Sequence, residues 1–367
     1  MKFSCSTDAL CDAVINVSRA VSVKSSIAPL EGVLLKIEGN QLVVTGYNLE
    51  IGITTKVPVR VEQKGEIVLN AKLLGEILRK ITSPTVEFDI DDKYLTLIKG
   101  DKTELTILGI SAEEFPELPV INAEQTFTMK QSILRSMIDQ TAFAVAMTDQ
   151  KPVLTGSLFD LKNGELNLVS VDGYRLALRK EEIETNLKMK FVVPGKTLAD
   201  ISKILSEEEN PEVIISVARK HIIFNISDFT VYSRLLEGEF LDYKSTMAGE
   251  GGTTVKCETK AFLGTLERVS LIIDDKLRSP IKCEFSGDLV KLSCITSKGK
   301  AFDEFLCQKN GPDVEMGFNN KYLSDALKVV DDDEIILQIN GPLAPMKILP
   351  KVGKKFTFLV LPVKLKG

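Results

Sequence analysis

The chain has 367 residues, 44% of them hydrophobic and 26% charged, with a formal net charge of −5 and a single histidine, His221. That length predicts two or three domains, and one histidine excludes a histidine-based catalytic triad or a multi-histidine metal site. The longest apolar runs are too short to span a bilayer, the N-terminus lacks the long apolar core of a signal peptide, and an acidic balance by itself argues against a nucleic-acid binder.

The chain opens on a short strand pattern, Phe3-Ser-Cys5, followed by a predicted helix over 7–20. Alternating or β-branched stretches come next at Val33–Ile37 and Gln41–Thr45, then a helix over 70–80 and strands at Val86–Ile90 and Leu95–Ile98. The order then returns: strand Phe127-Thr-Met129, helix 129–147, strands Leu158–Leu161 and Leu166–Val171, helix 195–206, strands Val213–Val217 and Ile222–Ile226. A third round has Val255-Lys-Cys257, helix 259–273, Lys282–Phe285, Leu289–Ile295, helix 319–330 and Glu334–Ile339. Short turns such as Asp91-Asp-Lys93 and Lys162-Asn-Gly164 suit hairpins. The predicted class is α+β, with antiparallel sheets covered on one face by helices. Glu113–Pro119 and a linker at 249–252 mark the boundaries, so the expected domains are 1–120, 121–248 and 249–367.

The second helix of each round repeats one pattern. The segments start at Leu69, Val193 and Phe318, and each has an apolar start, Lys three residues on, Leu at five, an acid at seven and a second base at ten. Their first lysines, Lys72, Lys196 and Lys321, are 124 and 125 residues apart. This period is too long for a solenoid repeat and fits a domain triplicated whole. At about 100° per residue, Leu74, Ile77, Leu78 and Ile81 form one stripe, as do Leu323, Ala326, Leu327 and Val330. The middle copy keeps Leu198, Ile201 and Leu205 but has Ser202 in the stripe. The two bases of each helix return together to the opposite side. The six predicted helices carry a net charge of +5 and the remainder −10. A mildly positive side and a strongly acidic one suit a polyanion touched on one face only.

Catalytic and metal signatures are weak. Pro194-Gly-Lys-Thr197 mimics the end of a phosphate-binding loop, but the glycine that the motif needs five residues before Gly195 is Lys190. Asp331-Asp-Asp-Glu334 reads as a solvated turn opening a strand rather than a cation site. Asp172-Gly-Tyr-Arg175 reads as a turn after a strand, and the cysteines at 5, 11, 257, 283, 294 and 307 lack paired spacing, which favours reduced thiols. No cofactor, metal or reaction is specified, and the chain is expected to be a non-enzyme of the cytoplasm.

Several motifs in order resemble the β subunit of bacterial DNA polymerase III, the sliding-clamp family. They are Glu114-Phe-Pro116 closing the first third, Val171-Asp-Gly-Tyr-Arg-Leu-Ala-Leu178, Gly238-Glu-Phe-Leu-Asp-Tyr243 closing the second, and Leu359-Val-Leu-Pro-Val-Lys-Leu365 at the end. The resemblance runs essentially end to end. It implies a head-to-tail homodimeric ring of six domains, with sheets outside and twelve helices around a hole threaded by double-stranded DNA. The basic residues implied to face phosphates are Lys24, Lys72, Arg79, Lys80, Lys196, Lys203, Lys321 and Lys328. The resemblance places the dimer interface at Leu105 and Ile107 of one chain and Leu271 and Ile272 of the other.

A partner-peptide groove is implied at Leu154, Val171, Gly173, Tyr174, Arg175 and Leu176, then Pro345, Leu361, Pro362 and Val363, with Met247 from the linker. The implied occupants are short peptides of the polymerase III catalytic subunit, the clamp loader, other polymerases and repair proteins, with no membrane partner. Tyr174 stands where the family commonly has His and Val171 where it has Thr, and Lys366-Gly367 extend past the usual end. Lys151-Pro152 occupy a loop where some relatives carry aromatic DNA contacts. A triplicated protein-interaction scaffold without a nucleic-acid role is the alternative reading, although it has no need of paired bases on every repeat helix.

Overall fold

A computed structural model describes the chain except for residues 149–150, 248, 250–251, 275–278 and 366–367. The expected linker lies partly, and the Lys366-Gly367 tail wholly, outside the described residues. Its α-helices are α1 (Thr7–Val17), α2 (Ala71–Lys80), α3 (Gln131–Thr141), α4 (Gly195–Ser202), the one-turn α5 (Tyr243–Thr246), α6 (Thr259–Ser270) and α7 (Asn320–Lys328). All strand pairings are antiparallel. The chain divides into two compact units, 1–133 with 200–235, and 134–199 with 236–367.

The first unit holds two sheets. The five-stranded sheet runs in the order Arg60–Gln63, Lys2–Ser6, Thr85–Ile90, Leu95–Gly100, Thr103–Leu108. The eight-stranded sheet joins Gln125–Lys130, Glu212–Val217, His221–Ile226 and Phe229–Arg234 to Ile51–Pro58, Gln41–Tyr47, Gly32–Glu38 and Glu66–Asn70. Thr230↔Thr54 and Val231↔Ile53 are at that seam. Helices α1 and α2 pack on one another, and α1 lies on Gln41–Tyr47 and Ile51–Pro58. Asn70 starts α2, its side-chain oxygen accepting the Leu73 N–H at 2.9 Å.

The second unit is built the same way. Its nine-stranded sheet joins Met189–Pro194, Gly156–Lys162, Glu165–Val171 and Arg175–Glu182 to Phe356–Val360, Met346–Pro350, Glu334–Ile339, Thr253–Glu258 and Gln308–Asn310. A four-stranded sheet has the order Gly299–Leu306, Leu289–Thr296, Ile281–Ser286, Val314–Phe318. Helices α6 and α7 pack together over a core that includes Phe262, Leu266, Leu323, Ala177, Ile348 and Phe358.

The repeat helices bury the predicted stripe: Leu74, Ile77 and Leu78 in α2, Leu323, Ala326 and Leu327 in α7, and Leu198 and Ile201 in α4. All six predicted helices are shorter than their periodicity predicts. Helix α1 stops at Val17 before a 3-10 turn over Ser18–Ala20, α2 starts at Ala71, α7 spans Asn320–Lys328, and α3, α4 and α6 are also cut back. Met129 and Lys130 stay in the sheet, paired with Val213 and Glu212, so α3 begins at Gln131. It ends at Thr141, whose hydroxyl donates back to the Met137 carbonyl at 2.8 Å, and Ala142–Ala144 continue as a tighter 3-10 turn. At the end of α6 the Ser270 hydroxyl donates to the Leu266 carbonyl at 2.6 Å, leaving Leu271 and Ile272 beyond the helix. Past α4, the Ile204 N–H donates to the Ile201 carbonyl at 2.8 Å, which tightens the chain and puts Lys203 just outside the regular helix. All six cysteines are free, and burial pushes the Cys5 and Cys257 thiols up to about 12.

Candidate functional site

The predicted residues fall into three sets. The first is cationic. Lys72, Arg79 and Lys80 on α2, Lys196 on α4 with Lys203 after it, and Lys321 and Lys328 on α7 are all exposed, as is Lys24 in its loop. Lys72 with Arg79 and Lys321 with Lys328, seven residues apart within one helix, lie on the side opposite the buried stripe, as the 3.6-residue period requires, whereas Lys203 follows the end of α4. Among the described residues, Lys328 alone of these eight forms an ion pair, with Glu267 at 3.2 Å.

The second set lies on the face of the nine-stranded sheet turned away from α6 and α7. Side chains alternate along a strand, so Ala177, Phe358 and Ile348 point to the helices, and Leu176, Leu359 and Leu178 to the other side. There Val171, Leu176, Leu178 and Leu359 form an apolar cluster, with Leu154 and Met247 packed against it. The segment after Leu236 lies over this face and contributes Phe240, Tyr243 and Met247. Two polar anchors hold that strap. The Tyr243 hydroxyl donates to Asp160 Oδ2 at 2.7 Å, and Lys347 Nζ donates to the carbonyls of Met247 and Gly249 at 2.8 and 2.7 Å.

At the end of the cluster the Leu361 N–H donates to the Tyr174 carbonyl at 2.9 Å. Pro345 precedes Met346, which pairs with Val360, so Tyr174, Leu361 and Pro345 continue one row across three strands. Tyr174 is 59% exposed, Leu361 is exposed and Pro362 half-buried, and Val363 bridges to Gly317. Gly173 takes φ of +86°, which lets Asp172 Oδ1 accept the N–H groups of Tyr174 and Arg175 at 2.9 and 3.0 Å.

Arg175 belongs to the same turn but points inward and is 8% exposed. Its Nε donates to Asp172 Oδ2 at 2.9 Å and its Nη1 to Asp325 Oδ2 on α7 at 2.6 Å. The guanidinium lies 4.7 Å from the Tyr322 ring centroid and 5.4 Å from that of Phe143, and Tyr174 stacks on Tyr322 at 5.7 Å. Arg175 thereby ties the turn to α7, while Tyr174 forms the exposed rim. Beside them a cleft of about 680 Å³ is lined by Tyr174, Tyr322, Asn320 and the loop residues Val145–Thr148.

The third set lies at sheet edges, one in each unit. Thr103–Leu108 is the edge strand of the five-stranded sheet, with Leu105 exposed and Ile107 half-buried. In the other unit Leu271 is 82% exposed, whereas Ile272 packs partly against its own core. Gly299–Leu306, the edge of the four-stranded sheet, leaves Phe302 and Leu306 exposed, the latter by 76%. Phe302 and Leu306 are absent from the sequence motifs, and Leu359, Phe240 and Tyr243 occur only inside the motifs that close the second third and the chain, with no place on the apolar face.

No described helix is long and apolar enough to cross a membrane, and no cluster of potential metal ligands occurs among the described residues. Family models of the DNA polymerase III β subunit match successively: the N-terminal domain over 1–119, the central domain over 128–242 and the C-terminal domain over 246–364. The β sliding clamp of Halalkalibacterium halodurans is 34% identical over 99% of this chain and all of its own length, and that of Bacillus subtilis 31% over 99% and 100%. The crystal structure of the Bacillus subtilis DNA polymerase sliding clamp superposes with a TM-score of 0.95 at 30% identity, covering all of both chains. The Pseudomonas aeruginosa sliding clamp bound to griselimycin gives 0.93 at 26%, again over both full lengths. With three tandem clamp-fold domains matched in order, the chain belongs to the DNA polymerase III β subunit family, the β sliding clamps.

Proposed function

We propose that the chain is a non-catalytic processivity factor of DNA replication, a clamp that encircles duplex DNA and tethers the replicative polymerase and other DNA enzymes to it. Clamp domains 1–120, 121–248 and 249–367 of one chain meet those of a second copy head to tail, in the cytoplasm and on the nucleoid. The observation that carries this reading is the repetition of two exposed bases, seven residues apart, in equivalent segments: Lys72 and Arg79, Lys196 and Lys203, Lys321 and Lys328. A chain of net charge −5 has no general reason to hold six exposed cations in register. Together with Lys24 and Lys80 they face phosphates, which look alike at every base step and therefore permit sliding. Across a water-filled gap such contacts are screened beyond about 8 Å at physiological salt, so topology retains the ring and weak contact leaves it mobile.

Ring closure by a heterologous contact fits the two free edges. Leu105 and Ile107 supply one side, and Leu271 and Ile272, beside the exposed edge of Phe302 and Leu306, supply the other. The partner peptide sits on the apolar sheet face: Leu154, Val171, Leu176 and Met247 form its floor and wall, Tyr174 and Gly173 its rim, and Pro345, Leu361, Pro362 and Val363 its far end, with Arg175 fixing the rim to α7. Each large side chain buried there contributes roughly 1.5–3 kcal/mol, which after ordering costs gives micromolar binding for one peptide. Loading onto a nicked circular DNA tests the whole reading. The protein is retained through a high-salt wash, and linearising the circle releases it. Equal retention on linear DNA with free ends rejects the ring.

A further inference from the structure

Beyond the strap, the same sheet face carries a cavity of about 750 Å³ that the apolar groove leaves unused. Its floor includes Leu178, Ile336 and Leu349, the last two paired across neighbouring strands. Its rim carries Lys180, Lys347, Lys351 and Lys354, and no carboxylate lines it among the described residues. Glu165 pairs with Lys180 at 3.6 Å from outside the cavity, and Glu334 pairs there with Lys351 and Lys256. Counting both carboxylates, the cations remain in excess. Lys347 is 8% exposed, and its two hydrogen bonds go to neutral carbonyls.

We propose that this cavity receives an acidic segment flanking the apolar anchor of the bound partner peptide. The inference rests on the peptide-groove reading, which it deepens by naming the chemistry of the flank. Two observations carry it. The rim is cationic on a chain that is acidic overall. The cavity also borders the groove, because Leu178 of the apolar cluster and Met247, packed against that cluster, both line it. A peptide anchored on that cluster therefore extends onto the lysines within a few residues, at about 3.3 Å per residue. Exposed charges act mainly on specificity and association rate, so the flank adjusts which partner binds and the apolar side chains anchor it.

The test uses three synthetic decapeptides sharing a Leu-Phe anchor: one with serines on both flanks, one with three aspartates before the anchor and one with three after it. Binding is read by fluorescence anisotropy on the full chain at about 0.05 and about 0.5 M salt. One aspartate peptide binds about three- to tenfold tighter than the serine peptide at low salt. The gain shrinks at high salt and disappears in Lys351→Gln/Lys354→Gln, which keeps its melting temperature and its affinity for the serine peptide. If all three peptides bind equally, the acidic flank is wrong and the groove stands. A gain that survives in the double variant also overturns the proposal. If no peptide binds, the groove reading fails first. Capture of a dT20 oligonucleotide that the double variant abolishes, with no flank preference, assigns the lysines to nucleic acid instead.

Discussion

The phenol of Tyr243 donates to Asp160 Oδ2 at 2.7 Å, tying the strap over the apolar sheet face to a carboxylate that is 1% exposed. Burial pushes the Asp160 carboxyl up, but the Tyr243 hydrogen bond and the charges of Lys190 and Lys244 outweigh it and hold the group below its ordinary value. Its folded value is thus depressed, so its contribution to stability is complete above about pH 4 and is lost as the pH falls through the folded value. Urea unfolding of wild type and Asp160→Asn should differ by a constant amount from neutral pH down to about pH 5, and the gap should narrow in acid. A gap unchanged at about pH 3 rejects the assignment. Tyr243→Phe removes one donor from a buried carboxylate and should cost about 1–3 kcal/mol.

Arg175→Lys is predicted to be a damaging exchange. The guanidinium bonds Asp172 and Asp325 through different nitrogens while lying 4.7 Å from the Tyr322 centroid. An ammonium is a point charge and cannot hold both carboxylates and stack. Thermal unfolding should show a loss of about 1–3 kcal/mol, and the fluorescence of a probe on Tyr174→Cys should report a looser rim. A variant as stable as wild type would mean that the Asp325 contact holds nothing in place.

The helices were legible because their stripes are amphipathic: Leu74, Ile77 and Leu78 are buried where a 3.6-residue period puts them. The ends of α3 and α6 were not, since the chain tightens after Thr141 into the Ala142–Ala144 3-10 turn and at Leu271 into a bond to the Arg268 carbonyl, a change that the apolar pattern does not record. Leu359 opens the closing motif, but the motif does not tell which face it joins. Phe356, Phe358 and Val360 face the helices, while the other face carries Thr357 beside Leu359, so the strand pattern does not show that the strap covers Leu359. Phe302 and Leu306 lie in an ordinary strand pattern, and only the strand order makes that strand an edge. Tyr243 and Asp160 are 83 residues apart, beyond any local motif.

Testing the proposed dimer without unfolding either chain calls for Leu271 rather than Ile272. Ile272 packs partly against the core of its own repeat, so a charge there disturbs the fold as well as the contact. Leu271 is 82% exposed, and Leu271→Asp adds a charge that the lone chain tolerates in water. Sedimentation velocity should show a dimer for wild type and a monomer of unchanged melting temperature for the variant. A variant that remains dimeric moves the interface away from α6. Leu306→Asp on the neighbouring edge strand should act in the same direction.

Neutralising Lys72, Lys196 and Lys321 together should separate electrostatic attraction from topological retention. All three are exposed on repeat segments, and none is in an ion pair among the described residues, so replacing them with Gln leaves no carboxylate stranded. The triple variant should fold and dimerise normally, since surface substitutions of this kind shift stability by about 0.5 kcal/mol or less. Its retention on a closed circle should persist through a salt wash, because a ring on an endless duplex needs no attraction to stay there. Its weak affinity for short linear duplex should fall, and the salt dependence should flatten by about one unit of log–log slope for each phosphate that no longer meets a cation. If the closed-circle half-life collapses along with that affinity, attraction rather than encirclement holds the protein on DNA. If neither changes, these lysines do not face the duplex.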